Sequence, residues 1–461
     1  MTSDQQDIFS TGSGQLDAAP EEPQWRIALV FLLLVVGLYL AAGPLVRLSQ
    51  WRVDPDASHG LKEARAWREG RLDIPPTGPD PALGSGRPRD SAYREGKVYN
   101  VFPPLFTFLS YGALTLQSLQ GMTGADACEF YAPWYIAIVA LPLPLVGFWA
   151  FRRATGRSEW AAVMTAYWIL GTPLLKMLVN SGHGNTNELN HVLSNMGMLL
   201  IAGDLLGRRR IWPAALGLVI GVWSRQLTIL YLPAAMYIAW HAAALASRVV
   251  LDPGVSRSAA APGVSGPANR RAGLALLAIA AVVALGVTAA LNTLKFGSPL
   301  ETGYRLIYEG RDDLYARRAR EHGLFAVENI PRNAFYMNLS PPEVRLAPMM
   351  LQVGVGGCGD GTSLWLTSPL LLAGLWDIRR WWRDPARRVL MLSSGLVIFG
   401  LLCYHTTGSV QHDFWRFGLD FAPIWLAVIA PYVCTGRRRW ITLGCLAYSA
   451  LYFGVLCGTS P

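Results

Sequence analysis

Residues 272–294 read AGLALLAIAAVVALGVTAALNTL, an uncharged run held between Arg270-Arg271 and Lys295. A helix needs roughly 20 apolar residues to cross the hydrocarbon of a bilayer, so this run is long enough to span one. It is not alone. Apolar blocks also cover about 25–46, 101–120, 131–151, 158–178, 190–206, 211–224, 226–247, 362–376, 389–404, 417–434 and 440–457. The expected fold is therefore an all-α polytopic membrane protein of about 10–12 transmembrane helices.

Composition agrees. Of 461 residues, 52% are hydrophobic and 15% charged, against about 25% charged in ordinary soluble domains. That balance excludes a soluble enzyme, a secreted disulfide scaffold and a disordered chain. The net charge of +9 sits in clusters such as Arg208-Arg209-Arg210 and Arg437-Arg438-Arg439 at the ends of apolar blocks. Such clustering is the positive-inside bias of membrane topology, and no nucleic-acid partner is expected. The six Cys form no C-x-x-C pair and no zinc pattern. Cys128 and Cys358 both fall in segments expected outside, where an oxidising compartment permits pairing.

Two units follow from this organisation. Residues 1–24 read as an acidic, disordered cytoplasmic tail, and 25–461 as the membrane domain. Within it, 47–100 and 295–361 are long polar loops, and 248–271 is a linker with Arg248, Arg257, Arg270 and Arg271. The charge rule puts 152–157, 208–210, the linker, 379–388 and 437–439 in the cytoplasm. Segments 180–190, 295–361 and 405–416 then share the outer side, and 47–100 is expected there too. Under that count either 101–120 is not a full span or a later short block such as 211–224 is not one, and Pro103-Pro104 suits a helix that starts at the interface or dips in and returns. Both long loops carry Trp, Tyr or Phe and are expected to be ordered.

Chemistry-bearing residues gather in these outer segments. Asp54-Pro55-Asp56 with His59 offers two carboxylates and an imidazole, suited to a divalent cation such as Mg or Mn or to general-base work. The same residues suit a turn in which Asp56 or Ser58 caps a helix from near Gly60. Lys97 is one of four Lys against 36 Arg; it suits a lipid phosphate or a snorkelling anchor. The stretch 180–191, centred on His183, is dense in amides and imidazoles that bind sugar hydroxyls or simply water. Arg225 interrupts an apolar region, where a charge needs a partner such as a lipid phosphate or an escape to the surface. His405, His412 and Arg416 flank a short outer loop, and Arg416 suits phosphate.

Four motifs in order resemble bacterial membrane glycosyltransferases of the GT-C architecture, such as protein mannosyltransferases and aminoarabinose transferases. After an Asp past the first helix come A-x-x-W-x-x-G-x-L-D-I (residues 64–74) and D-x-A-x-x-x-G-K-x-Y-x-x-x-P-P (residues 90–104). Phe296-Gly297-Ser298-Pro299 resembles the start of that family's second large loop, and Gly361-Thr362-Ser363-Leu364 with Ser368-Pro369-Leu370 its end. Arg416 to Pro423 resembles a late R-[FY]-x-x-x-x-x-P segment. The resemblance implies a GT-C-like bundle in the bacterial inner (cytoplasmic) membrane, with its active loops on the outer face. It implies transfer of a sugar from a polyprenyl-phosphate donor to a glycan, lipid or protein acceptor. On it, Asp54 or Asp56 is the catalytic carboxylate and tentative metal ligand. His59, Asp90, Lys97, Tyr99, His183, Glu301, Tyr304 and Arg416 are the expected substrate-binding residues. The family's acidic pair is unbroken near an aromatic run, whereas Pro55 separates the two Asp here. The alternative reading is a transporter or flippase of a lipid-linked or small amphipathic substrate.

Overall fold

The computed structural model describes residues 26, 29–30, 58–75, 90–121, 139, 141–181, 186–241, 267–309, 311, 313–341, 343–347, 350–354, 361–408 and 415–459. The chain is mostly helical. Helix α1 (His59–Arg68) starts because Ser58 caps it: the Leu61 N–H donates to Ser58 Oγ at 3.3 Å. A hairpin of β1 (Ser91–Arg94) and β2 (Lys97–Asn100) follows, then α2 (Leu105–Leu119), which begins directly after Pro103-Pro104. Next come α3 (Pro142–Thr155), α4 (Ser158–Leu170), α5 (Leu174–Ser181), α6 (Thr186–Leu205), α7 (Trp212–Ser224), α8 (Leu232–Trp240) and α9 (Pro267–Phe296). The second long loop folds into α10 (Leu314–His322), α11 (Ile330–Asn338) and a hairpin of β3 (Glu343–Ala347) and β4 (Met350–Gly354). Helices α12 (Pro385–Cys403), α13 (Ala422–Val433) and α14 (Arg438–Thr459) complete the chain.

Backbones approach most closely where α6 crosses α7. A Cβ at Gly217 would stand 2.4 Å from the Gly197 carbonyl oxygen, and one at Gly197 would stand 2.7 Å from that of Gly217. Gly217 and Gly221 lie four apart, so both face Gly197, the small-xxx-small spacing that lets helices touch without a hydrophobic drive. The chain then reverses at Arg225. Helix α7 climbs along α9 from Ile211, beside Gly273, to Trp223, whose indole donates to the Ala284 carbonyl at 3.0 Å. After the turn Leu227 lies beside Gly400, and Tyr231 bonds Ser394 at 3.1 Å, so the returning segment runs antiparallel to α12. Trp212–Ser224 and Gln226–Trp240 are thus separate helical segments, with Arg225 at the bend.

Two apolar blocks are not single helices. The one at 158–178 breaks at Gly171-Thr172-Pro173. The one at 362–376 divides into turns at Ser368-Pro369 and Gly374, where Ser368 Oγ donates to the Gly171 carbonyl at 2.9 Å. Proline forbids the continuing hydrogen bond in both places. Helix α2 lies along α1: Trp67 packs on Phe108 and Tyr111, and Arg68 reaches Ser118 Oγ at 3.0 Å. It touches α6 and α7 near its start, through the Pro103 carbonyl and Phe108.

Arginines collect at one end of the bundle. The charge of Arg153 is felt with those of Arg208 and Arg210, and Arg209 lies near Asp384 and Arg387. Arg157 and Arg439 line one cleft beside Cys434. Asp204 holds the turn there, its two oxygens accepting from the Arg210 and Ile211 N–H groups at 2.9 and 2.8 Å. Arg270–Phe296 and Pro385–Cys403 are each long and apolar enough to cross a membrane. Leu105–Leu119, Trp212–Ser224, Gln226–Trp240 and Ala422–Val433 are shorter apolar helices.

Candidate functional site

The opposite end gathers the first turn of α6, the bend at Arg225, the C-termini of α9 and α12, and the approach to α13. Between them lies a cavity of about 530 Å³, within the size range of small-ligand sites, roughly 300–1,000 Å³. Both polar loops contribute walls. Asp90 comes from the first, and Tyr304, Tyr308 and Asp313 from the second; Arg225 and Arg416 come from the bundle.

The loops are positioned by satisfied polar groups. Glu63 on α1 is fully buried and accepts from Asn100 Nδ2 at 2.7 Å and Thr107 Oγ1 at 2.8 Å. Its other oxygen pairs with Lys295 in the last turn of α9. Lys295 Nζ also donates to the Asn100 carbonyl at 3.1 Å. One buried ion pair therefore ties the first loop to the entrance of the second. At α12, the last carbonyls have no intrahelical partner. The second loop supplies the donors: Asn329 Nδ2 and the Ala326 N–H reach the Cys403 carbonyl at 3.0 and 2.8 Å, and Asn333 Nδ2 reaches Leu402 O at 2.9 Å.

Arg225 finds its partner in Asp420, not in the surface. Its Nε and Nη2 donate to Oδ1 and Oδ2 at 3.0 and 2.7 Å. His191 Nδ1 stands 3.5 Å from Oδ1. Two guanidiniums approach the Phe417 ring, that of Arg225 at 5.4 Å and that of Arg416 at 5.7 Å from its centroid. Burial, then the neighbouring Arg225 charge, push the Arg416 pKa below its ordinary value. The carboxylates of Asp90 and Glu188 act in the opposite direction.

Across the cavity, His405 Nε2 and the Tyr308 hydroxyl are 2.6 Å apart. Burial lowers the His405 pKa to about 4 and raises that of the Tyr308 phenol, so both are neutral near pH 7. Arg311 stacks over Tyr308 and bonds Asp313 at 2.7 Å. Burial opposes ionisation of Asp313, but the Ala316 N–H and Arg311 outweigh it and hold its carboxyl below the usual range.

Of the residues expected from the sequence, Asp90, Tyr304 and Arg416 line this cavity. The others described stand elsewhere. Lys97 is exposed at the hairpin tip opposite Arg94, because strand alternation turns Val98 and Asn100 inward instead. Tyr99 packs edge-on against Phe296, and His59 edge-on against Phe102. Glu301 accepts from the Gly303 N–H at 2.8 Å and lies 3.7 Å from Arg305, a local turn contact. Asp54, Asp56, His183, His412, Cys128 and Cys358 lie outside the described residues. Among the described residues no group of three or more His, Cys, Asp or Glu side chains is placed to hold a metal ion. Nothing local marks Tyr308 or Glu63; Lys295, one of four Lys, stands out at the end of an apolar run, and Asp420 as an acid inside an otherwise apolar block. No family model, curated protein or solved structure matches the chain.

Proposed function

We propose that the chain is a polytopic membrane transferase that moves a sugar from a polyprenyl-phosphate donor to an acceptor at the cavity end of the bundle. Its setting is a bacterial inner membrane, with the cavity on the outer face. The membrane reading is supported by α9, which buries the stripe Leu277, Ala280 and Ala284 while exposing Ile279, Val282 and Leu285. A helix this apolar with its broad face uncovered suits lipid. Exposed Trp212, Trp240 and Trp440 stand at the arginine-bearing end, as interfacial anchors do.

The observation that carries the transferase reading is Arg416 beside the Arg225–Asp420 pair on a cavity walled by both polar loops. Asp420 pairs with Arg225, and Arg416 brings a second guanidinium to the same cavity beside Phe417. A lipid phosphate remains at the membrane surface, and the charge it gains on leaving is stabilised by a preorganised guanidinium in a poorly solvated site. Tyr304 and Tyr308 supply flat faces and hydroxyls for a sugar.

Purified protein offered a panel of polyprenyl-phosphate sugars tests this by mass spectrometry of donor and free lipid phosphate. Donor loss in the wild type that falls at least tenfold in Arg416→Gln is the expected outcome. Intact donor throughout, with cargo moved across a vesicle, transfers the assignment to a flippase.

A further inference from the structure

The geometry points to Asp90 as the general base of the cavity, an assignment that rests on the transferase reading above. Asp90 sits at φ 56°, in the left-handed region that Gly, Asn and Asp enter more readily than other residues. The neighbouring hairpin residues fix this position. The next residue, Ser91, pairs with Asn100 in the hairpin register, and Asn100 is bolted to Glu63 and Lys295 by side chain and carbonyl. The carboxylate is thus presented from the end of the hairpin that Asn100 anchors, while Lys97 is exposed at the tip and does not line the cavity.

Its chemical state also differs from that of its neighbours. Asp420 is engaged by Arg225 and approached by His191. Asp313 caps α10 and is held by Arg311. The Asp90 carboxylate, on the cavity wall, makes no hydrogen bond or ion pair among the described residues. Its charge is felt by Arg416, Tyr304 and Tyr308, which places it on the same space as the phosphate end. A carboxylate left open opposite a cation can accept a proton from one substrate while the cation receives charge from the other.

The step balances. The acceptor X–H bond breaks and its proton passes to an Asp90 oxygen. The freed electron pair of X forms the new bond to the anomeric carbon. The bond from that carbon to the phosphate oxygen breaks, its pair leaves on the polyprenyl phosphate, and the added negative charge faces Arg416. Asp90 then returns the proton to water.

Asp90→Asn and Asp90→Gly test the role, because both residues tolerate the left-handed backbone and neither takes up a proton. Both are expected to bind the donor as the wild type does, measured by titration, and to lose about 10²- to 10⁴-fold in transfer rate. Asp90→Glu is expected to recover part of that loss. Either Asn or Gly turning over within tenfold of wild type makes Asp90 a turn residue and overturns the assignment. So does a loss confined to donor affinity, or an active Asp90→Asn beside an inactive Asp54→Asn/Asp56→Asn. A wild type that consumes no donor removes the transferase reading and this assignment together.

Discussion

Arg225 and Asp420, 195 positions apart in the chain, meet through two hydrogen bonds in a bidentate pair. The Arg225 side chain is 17% exposed and that of Asp420 2%. The pair joins the bend between α7 and α8 to the approach to α13, and its Arg225 member lines the cavity.

Removing one member strands the other. Arg225→Met or Asp420→Leu alone is expected to destabilise the protein by about 3 kcal/mol or more. The double variant is expected to recover much of that loss, since apolar replacements leave no uncompensated charge. Thermal unfolding of the three variants in one detergent checks this; single variants within 1 kcal/mol of wild type would show that water, not Asp420, satisfies Arg225.

The Glu63–Lys295 contact predicts coupling between the two loops. Glu63→Gln keeps the shape and removes the ion pair, leaving Lys295 5% exposed and short of an anion. Amide hydrogen exchange is expected to rise in both 91–100 and the segment after Phe296. A rise confined to α1 would contradict the tie.

Helix contact at Gly217 is the third test. A Cβ there meets the Gly197 carbonyl at 2.4 Å, so even Gly217→Ala forces α6 and α7 apart. The cost is expected near 1–3 kcal/mol, as in overpacked cores, and greater for Gly217→Leu. Gly286, whose Cβ would meet nothing within 4 Å, is the control and should accept Ala without loss.

His405 predicts a pH window. Burial lowers its pKa from 6.5 to about 4, and the unfolded chain therefore binds the proton more readily. Its contribution to stability is complete above about pH 6.5 and is lost as pH falls towards 4, by up to ~1.4 kcal/mol per unit. Below about 4 both states are protonated and the dependence ends. His405→Asn is expected to flatten the stability profile over that window; an unchanged slope would place the titration on another group.

Part of this site was legible in linear sequence. Arg225 stands out because a charge between apolar blocks needs an explanation, and Ser58 reads as a cap from its type and place. Asp90 is prominent in a dense polar stretch. The partner of Arg225 was not legible: a lone acid in an apolar block does not say which helix it will face. Lys97 misleads for a related reason, since a strand turns adjacent side chains to opposite faces and only the register decides which face is inside.

Hydropathy and charge are properties of contiguous residues, so the sequence alone determined the apolar helices, the arginine-bearing turns and the two polar loops between them. Pro173 and Pro369 likewise mark their breaks locally. Which residues share the cavity depends on helix packing, set by contacts such as Gly197 against Gly217 and by the Glu63–Lys295 tie. Those contacts join segments up to hundreds of residues apart through shape and buried charge, and only the tertiary structure decided that Asp90, Tyr308 and Arg416 would line one space.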